Sequence, residues 1–154
     1  MDMVLDRVGR PGIVLAVIGL ELFNGLMGTV SGLLFLAAPS GELMGLDAEL
    51  LEGLPVGDFF LVGLFLLIAF GICPFIVSWG LITRSELDLA RLLKKLSIRH
   101  WAWTGALVIS GLEVAWMCVE VILIGIFSFT YVWLIVQMLI VVVLCFGGVR
   151  RYYA

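Results

Sequence analysis

Charge is scarce in this sequence. Only 14% of its 154 residues are charged, 63% are hydrophobic, and the mean hydropathy is +1.22. An ordinary globular domain is about half apolar and about a quarter charged, so a chain of this size cannot hide so much apolar side chain by folding in water. The net charge is only −3, and neither a Lys/Arg-rich tail nor a Gly-rich phosphate loop occurs, so no nucleic-acid partner is expected. Cysteine is sparse as well. Cys73, Cys118 and Cys145 lie inside apolar runs and form no C-x-x-C pair, so they read as small hydrophobes rather than thiol–disulfide groups. Histidine occurs once, as His100, and no HExxH, nucleophile elbow or His/Cys/Asp cluster at metal-ligand spacing is present. The expectation is a non-enzyme with no catalytic residue, metal or cofactor.

What the sequence has instead is long apolar runs. Residues 12–38, 59–82, 101–127 and 130–149 each read as a membrane-crossing helix, because ~20 residues at ~1.5 Å rise cross ~30 Å of hydrocarbon. Helices are the expected form, since lipid offers no partner to free backbone groups. The first run reads as a span and not as a leader: the charges before it are mixed, it exceeds a signal h-region, and no small-residue cleavage site follows. Pro39 with Ser40-Gly41 ends that run, and Pro74, inside the second, frees the Phe70 carbonyl and predicts a kink.

Basic residues set a direction. All nine fall at the N-terminus (Arg7, Arg10), in the 83–100 loop (Arg84, Arg91, Lys94, Lys95, Arg99) or at the C-terminus (Arg150, Arg151). The 39–58 loop and the turn near Ser128 have none, which predicts both termini on the cytoplasmic side. The reading is therefore an all-α integral membrane protein, a four-transmembrane-helix bundle, N-in/C-in, in the cytoplasmic membrane of a prokaryote. The 39–58 loop holds Glu42, Asp47, Glu49, Glu52 and Asp58, and Asp47 is placed to cap a short helix through Leu51. In the 83–100 loop Leu89, Leu92, Leu93 and Leu96 recur at helical spacing among basic residues, which predicts an amphipathic helix lying on anionic lipid of the inner leaflet. His100 reads as a surface histidine beside Trp101 near the lipid headgroups, with pH sensing as the sharper alternative.

Five polar residues sit where hydropathy forbids them: Glu21, Asn24, Glu113, Glu120 and Gln137. A mid-membrane carboxylate costs several kcal/mol unless it faces the bundle interior or water. Glu21 and Asn24 share one helical face, and so do Glu113 and Glu120. Counting from a turn at Ser128 sets Glu120 and Gln137 at ~12–14 Å depth, as a pair across the hairpin. Glu113 falls two turns deeper, near the level of Glu21. No Lys, Arg or His in the spans neutralises these acids. Three outcomes remain: protonated carboxyls acting as interhelical glue, a bound cation, or a cationic group from another chain.

Gly25, Gly28 and Gly32 mark one side of the first helix, and Gly28-Thr29-Val30-Ser31-Gly32 matches GxxxG. That match suits a dimer face or packing within the bundle. The stretch Gly32-Leu33-Leu34-Phe35-Leu36…Pro39-Ser40-Gly41…Met44-Gly45-Leu46, then Leu54-Pro55-Val56-Gly57-Asp58-Phe59-Phe60-Leu61-Val62-Gly63-Leu64-Phe65-Leu66, is similar to a group of small prokaryotic four-helix membrane proteins of unknown function. Their pattern continues with W-x-x-x-Q near G-x-x-S. Here Trp116…Glu120…Gly125…Ser128 stands in that place, with Glu120 for Gln, and Val62 stands where the group has Pro. The resemblance implies the four-helix fold and carries no activity. On this footing the leading expectation is a non-catalytic accessory subunit or self-associating bundle, with a homo-oligomer or a partner membrane subunit. The alternative is a proton- or cation-linked carrier or channel for a small solute using Glu21, Glu113 and Glu120, and an intramembrane enzyme ranks last.

Overall fold

The computed structural model describes residues 12–47, 49–52, 54–85, 100–125 and 128–153, with side chains from Thr130 onward in the last stretch. It is 84% helix, and no strand occurs among the described residues. Helix α1 is Gly12–Ala37. After a 3₁₀ turn at Glu42–Met44 comes the short α2, Glu49–Glu52. Helix α3 runs Phe60–Thr83, α4 Trp101–Ile124, α5 Ser128–Cys145 and α6 Gly147–Tyr152. Helices α1, α3 and α4 are long and apolar enough to cross a membrane, and α5 contributes a shorter apolar segment, Thr130–Cys145. The predicted N-terminal charges and the amphipathic stretch of 86–99 lie outside the described residues.

Packing follows chain order: α1 lies against α3, α3 against α4, α4 against α5, and α5 returns to α1. Phe23 of α1 meets Trp133 of α5 edge to face, with ring centroids 5.6 Å apart. Helices α1 and α4 therefore face each other diagonally. The usual soluble pattern is inverted. Outward faces carry Leu26, Leu61, Ile68, Val108, Ile122, Val132, Ile135 and Met138, all exposed, while Glu21, Asn24, Glu113 and Gln137 are buried. An apolar perimeter of that kind suits lipid, and water would penalise it.

Glycines bring α1 and α3 together. A Cβ on Gly28 would run into the Phe70 carbonyl, and one on Gly32 would lie 2.6 Å from the Leu67 nitrogen. From the other side, a Cβ on Gly71 would sit 2.7 Å from Thr29 Oγ1, and one on Gly63 2.7 Å from Phe35. The GxxxG face is thus consumed inside the chain.

Within this seam, residues Leu66–Ile72 of α3 form a π-helical segment, and the Cys73 N–H bonds the Ile68 carbonyl. Pro74 follows at once. It lacks an N–H, so the Phe70 carbonyl has no α-helical donor, and the wider turn moves that mismatch to the glycine face.

The 39–58 loop folds over the same end of the bundle. Phe59 N–H bonds the Pro39 carbonyl at 2.8 Å, and the Phe59 ring lies 5.1 Å from that of Phe35. Asp58 Oδ1 accepts from Phe60 N–H at 2.9 Å and starts α3. Asp47 takes part in α2 through its backbone carbonyl, which accepts from Leu50 N–H.

At the opposite end the chain terminus acts as a clasp. Arg84 ends α3 in the left-handed region, φ 54°, which turns the chain away and leaves the Leu81 carbonyl without a helical donor. Tyr153 Oη donates to that carbonyl at 2.9 Å. The Arg84 guanidinium lies 3.5 Å from the centre of the Tyr152 ring and donates to the Tyr152 carbonyl. Trp101 Nε1 donates to the Ser85 carbonyl, and Trp103 Nε1 to that of Leu144. His100 corrects its surface reading. It is half-buried, its N–H bonds the Tyr153 carbonyl, and its Nδ1 accepts from Ala102 N–H as the N-cap of α4.

Candidate polar site between the helices

The buried face of α1 repeats at helical spacing as Val14, Val17, Glu21, Asn24, Gly28, Gly32 and Phe35. Glu21 and Asn24 share it because three residues turn the helix almost once. On α4 the stripe is Ala102, Ala106, Ser110, Glu113 and Met117. On α5 it includes Thr130, Gln137, Ile140 and Leu144. Each helix thus turns polar groups inward from an otherwise apolar sequence.

Two bonds join three of these helices. Asn24 Nδ2 donates to Glu113 Oε2 at 2.7 Å, across the diagonal between α1 and α4. Gln137 Nε2 donates to Asn24 Oδ1 at 3.3 Å. Polarity propagates along this chain. The Glu113 oxygen requires an amide N–H from Asn24, which presents Asn24 Oδ1 to Gln137, which in turn leaves Gln137 Oε1 as an acceptor.

Glu21 sits apart from these bonds. It has 0% exposure, and both carboxylate oxygens lack a hydrogen-bond partner among the described residues. Glu113 is the other acid of this layer that acts on it. Ser78 Oγ on α3, Ser110 Oγ on α4 and Gln137 Oε1 are likewise buried without a partner. The sequence reading missed both serines. Ser110 lies three residues before Glu113 and Ser78 seven after Gly71, spacings that put each on an inward face once the packing is known.

The predicted Glu120–Gln137 pair does not form. Glu120 is half-buried and its Oε1 accepts from Trp116 Nε1 of its own helix at 2.6 Å. The depth count fails because α4 stops at Ile124, and Gly125 turns the chain with φ 86°. Glu120 therefore lies ~6 Å from the end of α4, while Gln137 lies ~14 Å along α5. Gln137 reaches the Asn24–Glu113 level instead. The predicted outer and inner layers become one central layer plus a peripheral Trp116–Glu120 pair.

Among the described residues no group of three or more His, Cys, Asp or Glu side chains could hold a metal ion. No family model, curated protein or solved structure matches this chain. The resemblance drawn from residues 32–66 and 116–128 rests on those motifs alone, and no residue role comes from a relative.

Proposed function

We propose that this chain is a non-catalytic multi-pass protein of the cytoplasmic membrane of a prokaryote, with four spans and both termini cytoplasmic, that moves a proton or a small cation through its carboxylate-bearing core. The observation that carries this reading is Glu21. A carboxyl kept as interhelical glue makes an interhelical bond, as Glu113 does with Asn24. Glu21 is fully buried and makes none among the described residues. An acid held in that position costs stability without returning a contact, which favours a role for the acid itself.

A fourth span is supported by α5, whose Val132, Ile135, Met138 and Val142 are all exposed on its outer face. The orientation rests on the basic residues. Self-association through Gly28 and Gly32 loses its support, because α3 occupies that face.

The test is ion flux in proteoliposomes. Proton or cation flux is expected from the wild-type chain, with a loss of tenfold or more on Glu21→Gln or Glu113→Gln. Glu120→Gln, on the periphery, is expected to change it less. Absence of flux from folded wild-type protein would sink the reading and return the accessory-subunit alternative to the front.

A further inference from the structure

Two acids reach the polar layer with no cation beside them. Glu21 comes from α1 and Glu113 from α4, and Glu113 acts on Glu21 electrostatically. The four apolar runs contain no Lys, Arg or His. Other titratable side chains on the long helices bring no positive charge either. Cys73 on α3 is half-buried, while Cys118 on α4 and Tyr131 and Cys145 on α5 are exposed. Glu120 bonds Trp116 at the periphery and acts on Glu113 from two turns away.

The two acids are served differently. Asn24 Nδ2 donates to Glu113 Oε2 at 2.7 Å, the short end for an N–H···O bond, as suits an ionised acceptor. Glu21 lies one turn from Asn24 on the same face of α1. It is fully buried, and neither of its oxygens receives an N–H among the described residues. The amide bonds of the layer run from Gln137 to Asn24 to Glu113, and none ends on Glu21. An N–H donor stabilises a buried carboxylate, and a carboxylate without one is the costlier of two to ionise.

We propose that Glu21 and Glu113 form a binding site for a single proton, with the proton on Glu21 and the negative charge on Glu113, where Asn24 holds it. The inference rests on the ion-linked reading above and names its ion. Two carboxylates at this depth repel each other and lack a counter-charge. One proton removes one of the charges and turns an acceptor-only oxygen into a donor. It needs a single oxygen, which Glu21 supplies, whereas a hard metal cation needs several converging on one point. Release breaks the Glu21 O–H bond, leaves its electron pair on that oxygen and makes both acids carboxylates. The next proton returns to Glu21, because Glu113 keeps its N–H donor.

The experiment is infrared spectroscopy of the full chain in lipid, read through the C=O stretch of protonated carboxyls and its shift in heavy water. Glu120→Gln serves as the parent, so that the peripheral acid adds no signal. At neutral pH the parent is expected to show one protonated carboxyl per chain. That band should be lost on adding Glu21→Gln. It should keep its intensity on adding Glu113→Gln, and when sodium chloride replaces choline chloride. A count of none or two, loss of the band in sodium, or a band that survives Glu21→Gln would overturn the proposal. If the Glu21→Gln chain fails to fold, the count and the sodium response of the parent decide. Flux in proteoliposomes separates this inference from the reading beneath it. The band without any ion flux leaves the proton on Glu21 and sinks the ion-linked reading. Sodium flux without the band keeps that reading and sinks this inference.

Discussion

Asn24 is the residue on which the polar layer turns. Its amide donates to Glu113 and accepts from Gln137, linking α1, α4 and α5 through one side chain. Truncation leaves both partners buried and unpaired, and that penalty exceeds the bond itself. Asn24→Ala is expected to destabilise the fold by about 1–3 kcal/mol. A double-mutant cycle with Glu113→Ala, read by thermal unfolding in detergent, should return a coupling energy of about 0.6–1.7 kcal/mol. A coupling near zero would mean the bond contributes nothing to stability. Glu21 was visible in the sequence as an acid in lipid. That it lacks a hydrogen-bond partner among the described residues was not, because any of several helix rotations could have supplied one.

Helix α3 shows why an element cannot be read from its own residues alone. Pro74 announces a lost hydrogen bond, and the expected response is a kink. Directly before it α3 carries a π segment over Leu66–Ile72, set against the glycines of α1. A Cβ on Gly28 would overlap the Phe70 backbone, which has little freedom to move. Gly28→Ala is therefore expected to cost about 1–3 kcal/mol by overpacking. Gly19→Ala, with open space around it, is expected to be neutral or slightly stabilising in the same unfolding assay. At the other end of α3, Tyr153→Phe removes the donor to the Leu81 carbonyl and should lower stability by about 1 kcal/mol. The GxxxG spacing was readable; its partner was not, since a glycine stripe fits another copy as well as a neighbouring helix.

For the whole molecule the open quantity is direction across the bilayer. Nine basic residues against two loops without any argue for cytoplasmic termini. In a variant with Cys73, Cys118 and Cys145 replaced by alanine, Ser40→Cys should react with a membrane-impermeant maleimide in intact cells. Arg151→Cys should react only after lysis. The reverse pattern would invert the molecule, and reaction of both from outside would mean an odd number of spans. The two ends of the bundle are closed differently: the 39–58 loop is pinned by Phe59 to Pro39, and the C-terminus is clasped through Tyr152, Tyr153, Arg84 and His100.

The sequence by itself determined that this chain is helical and apolar along its length, and which residues are anomalous within it. Hydropathy and helical period are local properties, and lipid leaves the backbone little choice but to bond within each segment. It also supplied helix faces, so Glu21 with Asn24 and Gly28 with Gly32 could be grouped correctly. Only the tertiary structure decided which faces meet. The Glu120–Gln137 pair failed because α4 ends at Ile124, short of the turn assumed at Ser128, and the serines at 78 and 110 gained meaning only from helix rotation. Depth and rotation depend on where helices stop and on which side chains let backbones approach, and these are set jointly by several segments. The central polar layer exists because α1, α4 and α5 present polar atoms to one another, and no single run contains that information.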